Sequence, residues 1–128
     1  MAATGESVLR EFLKNAGANV GVIGIGGCDL AIREAIELLA GEGIEADYMR
    51  IRAFPFHKSV EQFLYAHEIT FIVEQNRDAQ LRSLLTLETC VPKERLRSVL
   101  VYGGFPLSAR NVFEQMVSQL EAQHAIHR

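Results

Sequence analysis

The run Ile69–Val73, ITFIV, offers water no polar face. A strand of that kind has to be covered on both sides, so it belongs in the middle of a sheet with helices above and below it. The rest of the chain supplies the neighbours. Val20–Ile25, Tyr48–Phe54 and Val99–Tyr102 are further short runs rich in β-branched and aromatic residues, and each reads as a strand. Stretches of helical period separate them. This alternation predicts an α/β fold, a three-layer α/β/α sandwich with a largely parallel sheet of at least four strands. Tyr48-Met49-Arg50-Ile51-Arg52 alternates cleanly, so one face of that strand meets water or a partner.

The helical stretches carry their own punctuation. Ile32, Ile36 and Leu39 share one face of the first, and Gly41 or Gly43 supplies its stop. Ser59-Val60-Glu61-Gln62 reads as a capping box ahead of Phe63 and Leu64. Leu81, Leu84, Leu85 and Glu88 continue a third helix, with Asp78 set to cap it and Pro92 beyond its end. Ser108 is the expected cap of a last helix striped by Val112, Phe113, Met116, Val117 and Leu120. A short helix from about Ser7 to Asn15 precedes the first strand. The expected organisation is a helical lead-in over residues 1–17, an α/β domain over 18–122 and a tail over 123–128.

Composition narrows the function classes. The 128 residues are 48% hydrophobic and 23% charged, enough for one domain with a buried core. The net charge of −3, with both signs interspersed, gives no footprint for nucleic acid or a membrane surface. No apolar run is long enough to span a bilayer, and MAATGESVLREFLKN lacks the build of a signal peptide. Two cysteines, Cys28 and Cys90, offer neither a CxxC nor the ligands of an iron–sulfur cluster. The expected setting is reducing and cytoplasmic.

In open parallel sheets, chemistry gathers beyond the carboxyl ends of the strands. Four joints lie there: Gly24–Asp29, Ala53–His57, Glu74–Asp78 and Gly103–Ser108. The first begins like a dinucleotide fingerprint, with Gly24-Ile25-Gly26 after a strand, but Asp29 stands where the third glycine belongs. A carboxylate at a helix start competes for the amides a pyrophosphate needs and repels it, so a tight turn with Asp29 as the cap is the better reading. Cys28 sits where a helix N-terminus lowers a thiol's pKa, yet no histidine is tied to it, and a small buried residue accounts for it. The four histidines have no metal-ligand spacing: His124 and His127 belong to the tail, and His57 reads as a solvated helix start. No catalytic, cofactor-binding or metal residue is assigned.

Arg52, near the end of its strand, can hold an anion in its guanidinium fork or pair with Glu74 at the end of a neighbouring strand. In Glu74-Gln75-Asn76-Arg77-Asp78, five polar residues stand where a turn needs fewer. Capping explains Asp78 and part of Asn76. It does not explain Glu74 and Gln75, and a carboxylate, the two amides of Gln75 and Asn76, and Arg77 grouped at the crevice point, with Arg52, to a contact with another protein surface or a small polar ligand.

Four segments then resemble one family, in order. RIRAFPF (Arg50–Phe56) and FIVEQNRDAQLRSLL (Phe71–Leu85), with VGVIGIGGCDLAIREAIELLAGEGI before them and VYGGFPLSARNV after, resemble the 2-oxoacid:ferredoxin oxidoreductases. The match is to the C-terminal domain of the alpha subunit, domain II, over roughly Ala18 to Leu120, and the form EQNRDAQLR looks most like the 2-oxoglutarate type. The resemblance implies the fold of the transketolase C-terminal domain. It also implies a part in oxidative decarboxylation of a 2-oxoacid to its acyl-CoA, with electrons passed to ferredoxin. Thiamine diphosphate, its magnesium ion and the iron–sulfur clusters would be carried by other domains or subunits, since their motifs are missing here. The expected role is an accessory or assembly domain that is not catalytic alone and meets ferredoxin only indirectly. A free-standing module binding a small anion or nucleotide, or a pure oligomerisation module, are the alternatives.

Overall fold

The computed structural model of the chain describes residues 20–51, 58–75, 78–101 and 108–126. Along them run β1 (Val20–Ile25), α1 (Asp29–Gly41), β2 (Ala46–Ile51), α2 (Lys58–Tyr65), β3 (Ile69–Glu74), α3 (Gln80–Glu88), β4 (Leu96–Leu100) and α4 (Ala109–Ile126). The strands form one sheet in the order β2-β1-β3-β4. Every pairing is parallel, with Val22 beside Tyr48 and Phe71, and Val73 beside Val99.

The two-residue period of the strands divides the core into two layers. Val20, Val22, Phe71, Val73 and Val99 face α1 and α4, where Ile32, Ala35, Leu39, Val112, Met116 and Leu120 meet them. Ile23, Ile51, Ile72 and Leu96 point the other way, onto Val60 and Leu64 of α2 and Leu81 and Leu85 of α3. All six residues of β3 are buried, which is what its unbroken apolar run demands. The fold is therefore the expected three-layer α/β sandwich.

Local stops act where the sequence puts them. After α1 the amide of Gly43 bonds the carbonyl of Ala40 at 2.9 Å and that of Ile44 bonds Leu39 at 2.9 Å. Gly43 takes φ 83°, a left-handed turn that suits glycine, and Ile44 then buries beside Leu39. Ser108 caps α4, its Oγ accepting the Asn111 amide at 3.1 Å.

Other boundaries differ. β4 starts at Leu96 instead of Val99, because Arg97 and Ser98 lie on a half-exposed edge strand that tolerates polar residues. β2 starts at Ala46, two residues ahead of the apolar run, drawn in by pairing with Val20 and Gly21. α2 begins at Lys58, so Ser59 stands inside its first turn instead of ahead of it. The lead-in helix and the Phe54 end of the second strand lie outside the described residues. On the β4 edge, Gln115 bonds both the amide and the carbonyl of Leu100 (3.3 and 3.0 Å), and Gln119 bonds the Ser98 carbonyl at 2.7 Å. Two glutamines of α4 thus occupy backbone groups that an edge strand would otherwise leave open.

Candidate functional site

β1 and β3 are neighbours, but the chain leaves them towards opposite faces of the sheet, into α1 and α3 respectively. Their carboxyl ends therefore open a crevice, the place where ligands and partners meet sheets of this kind. Its walls are the tight turn Gly26–Cys28 and the strand end Glu74-Gln75. Gln75 is exposed, and its Oε1 lies 3.6 Å from where a Cβ on Gly27 would stand, so the two walls come close. Leu30 lies next to this turn with 70% of its surface open to water.

Glu74 forms the floor. It is 1% exposed, and its carboxylate accepts the amides of Leu81 (2.6 Å) and Arg82 (3.2 Å). These are the second and third amides of α3, the donors an N-cap side chain ordinarily serves. The helix needs the outside help because Ala79 occupies the cap position, with no side-chain oxygen and a left-handed backbone (φ 50°, ψ 45°). A negative charge at that end also complements the helix dipole. The backbone of Glu74 is used as well, its carbonyl accepting the Val101 amide at 2.9 Å. Beside it Cys28 is fully buried, and burial first, then the Glu74 charge, pushes its thiol pKa up. A raised thiol pKa is that of an inert core cysteine.

A second cluster lies one strand over. Asp29 opens α1 without bonding a helix amide through a cap; its Oδ1 accepts the Tyr48 hydroxyl at 2.7 Å and its Oδ2 the Arg33 Nε at 2.9 Å. The Tyr48 bond, then the Arg33 bond, hold its carboxyl below the ordinary carboxylate range. Tyr48 moves the other way, its hydroxyl held neutral by burial and then by the Asp29 carboxylate. The Arg33 guanidinium lies 5.5 Å from the centre of the Tyr48 ring. Gly24 makes the cluster compact: a Cβ there would stand 2.2 Å from Ile32 Cδ1 and 3.4 Å from the Tyr48 hydroxyl. Its glycine serves helix-on-strand packing, and a pyrophosphate would find a carboxylate already at the helix start.

Of the five residues expected at the docking corner, Glu74 and Gln75 are described and Arg52, Asn76 and Arg77 are not. The expected Glu74–Arg52 pair thus lies outside the described residues. Glu74 corrects one point. The helix capped at this joint takes its first-turn acceptor from Glu74, whereas Asp78 had been expected to supply it. His57, the Ala53–His57 joint and residues 103–107 of the last joint are also outside. Tyr48 and His67 went unnoticed in the sequence. Tyr48 reads as an ordinary strand aromatic, and its only signal is a register that sets it beside the Asp29 corner. His67 lies two residues before the most buried strand, where sequence gives it no partner.

Chemically, among the described residues the crevice offers the exposed amide of Gln75, an exposed leucine and a buried carboxylate already engaged. That suits a surface contact more than bond-making. Among the described residues no group of three or more His, Cys, Asp or Glu side chains could hold a metal ion, and no helix is long and apolar enough to cross a membrane.

No protein-family model matches the chain. The alpha subunit of 2-oxoacid:ferredoxin oxidoreductase 2 from Aeropyrum pernix is 34% identical to it over 92 residues, which are 70% of this chain and 14% of that relative. A solved structure, 2-oxoglutarate:ferredoxin oxidoreductase from Magnetococcus marinus with 2-oxoglutarate, coenzyme A and succinyl-CoA bound, superposes with a TM-score of 0.70 at 22% identity. That match covers 80% of this chain and 18% of the other, and carries the fold alone. The chain spans about a seventh of the length of the curated relative. Its resemblance to the alpha subunit of a 2-oxoacid:ferredoxin oxidoreductase, read from four segments of sequence, is borne out.

Proposed function

We propose that this chain is the accessory, domain II-like part of a thiamine-diphosphate-dependent 2-oxoacid:ferredoxin oxidoreductase, acting in assembly and not in the chemistry. The observation that carries the reading is the 34% identity to a stretch that makes up only 14% of an alpha subunit. A piece of that size owes most of its role to what surrounds it. The described residues do not fit thiamine diphosphate. The start of α1 presents the Asp29 carboxylate where a diphosphate would need free amides, and no cluster of acids could hold the accompanying cation. Partner domains would hold the cofactor, which would supply the electron sink for decarboxylation there. Clusters and ferredoxin belong to the same partners, and a cytoplasmic setting goes with them.

What this chain contributes is a shaped corner braced by side-chain hydrogen bonds. Glu74 fixes α3 against the end of β3, Asp29 and Tyr48 fix α1 against β2, and Gln75 stands between the two with its amide in water. An exposed amide both donates and accepts, so it can pair with the backbone of a neighbouring domain. The 2-oxoglutarate type is the preferred form, on the resemblance of EQNRDAQLR. Assay of the purified chain with 2-oxoglutarate, coenzyme A and an artificial electron acceptor is expected to give no turnover, and titration with NAD no binding. The same chain is expected to co-purify with thiamine- and cluster-carrying subunits from its own source. Turnover in a partner-free preparation, or tight NAD binding, would overturn the proposal.

A further inference from the structure

Asp29 stands between two cations and carries one charge. Arg33 bonds it through Nε at 2.9 Å. Arg50 does not bond it, yet its charge, like that of Arg33, acts on both Asp29 and Tyr48. The strand register explains how Arg50 comes so near. It pairs with Gly24, two residues beyond the Val22–Tyr48 pair, so Arg50 and Tyr48 share the face of β2 that meets α1. Both guanidinium groups are open to water, Arg33 with 64% of its side chain exposed. Among the described residues no hydrogen bond or ion pair engages Arg50. Two guanidinium groups against one carboxylate leave one positive charge at this corner, on a chain whose net charge is −3.

The positive patch is short and has an apolar neighbour. Leu30, 70% exposed, lies three residues before Arg33 and so beside it on the helix surface. Beyond the first turn the sign reverses, since the exposed charges that follow on α1 are Glu34 and Glu37. A surface positive at the crevice end, apolar beside it and negative further along sets both the place and the orientation of what it meets. Guanidinium forks match carboxylates and phosphates alike. Charge decides between them here. One net positive charge balances a single carboxylate, whereas a phosphate group brings about two negative charges up to the Asp29 carboxylate.

We propose that Arg50 and Arg33, with Leu30 beside them, seat an acidic segment of a neighbouring subunit, a Glu or Asp side chain meeting the two guanidinium groups and an adjacent apolar residue covering Leu30. This contact presupposes the assembly role proposed above and gives it a chemistry. Asp29 and Tyr48 brace Arg33 in place, and Arg50 supplies the charge that no other described residue uses.

The test mixes the full 128-residue chain with the purified thiamine- and cluster-carrying subunits from its own source and follows association by surface plasmon resonance. Arg50→Glu leaves the bonds of Asp29 to Tyr48 and Arg33 in place. Lys93→Glu makes the same charge change at the opposite end of the sheet, in the turn ahead of β4. At about 0.05 M salt Arg50→Glu is expected to weaken association roughly tenfold, with Arg50→Gln midway. At about 0.5 M salt, where exposed charges are screened, the loss should shrink to about twofold. Lys93→Glu should bind as wild type at both, and all three variants should melt as wild type does. Equal losses in Arg50→Glu and Lys93→Glu would overturn the proposal, as would release of the bound subunits by inorganic phosphate at constant ionic strength. Undiminished association of Arg50→Glu beside a loss in Gln75→Ala would overturn it too, while leaving the assembly role standing. A wild-type chain that binds none of those subunits would sink both.

Discussion

Two acids stand at neighbouring strand-to-helix joints of this sheet and do opposite work. Asp29 is the first residue of its helix and turns sideways, to a tyrosine on the next strand and an arginine one turn on. Glu74 is the last residue of its strand and turns inward, to the amides of the helix that follows. Asp29 keeps about a quarter of its side chain in water, while Glu74 keeps almost none. Burial is what separates them. An ion pair that water can reach adds little, since solvent serves either partner when the other is gone. A buried acceptor has no such substitute, and its removal leaves amides unsatisfied. One joint is a surface brace and the other is part of the core.

The largest expected effect follows from that contrast. Glu74→Ala should destabilise the chain by about 3 kcal/mol, combining a lost charge-assisted acceptor with a lost helix cap. Glu74→Gln, which keeps one acceptor, should recover about half of that. Urea unfolding of both variants checks the ranking, and equal, small losses would erase the distinction between the joints. Next in size is Ala79→Gly. The left-handed backbone of Ala79 costs a residue with a Cβ what it does not cost glycine, so the change should stabilise by about 0.5–1 kcal/mol despite the added chain entropy.

The brace is tested by pH. The Asp29 carboxyl titrates below its ordinary value of 3.8 when folded, so it contributes stability above that value and loses it as pH falls through the lowered one. Tyr48 is the larger cause. Tyr48→Phe should therefore raise the Asp29 titration towards 3.8, read from the carboxyl carbon shift by NMR. A titration that Tyr48→Phe leaves unmoved would make the joint a plain ion pair.

The sequence disclosed the layers of this fold more readily than the use of its corners. Ile69–Val73 could only be central, and the stripe on α4 could only face the sheet, because burial writes itself as periodicity. Partners seven residues apart leave no such mark. Capping rules look at the residue just before a helix, which nominated Asp78, whereas the acceptor comes from Glu74 across the loop. Gly24 and Gly26 resembled a phosphate-binding turn, yet at Gly24 it is close helix packing that requires the missing Cβ. Gly21 carried no signal, since its partner His67 lies far along the chain, ahead of the neighbouring strand β3. Tertiary contacts between elements distant in sequence account for each miss.

Both acids are held by side-chain hydrogen bonds, and the exposed Gln75 stands between them, close to Gly27. The role proposed for this corner is contact with a neighbouring domain. The most direct measurement is Gln75→Ala, compared with wild type for thermal stability alone and for co-purification with the thiamine- and cluster-carrying subunits from the same source. The account predicts a melting temperature unchanged within error and a clear loss of the co-purified subunits. A lowered melting temperature with undiminished co-purification would contradict it, leaving the corner an internal feature of the fold.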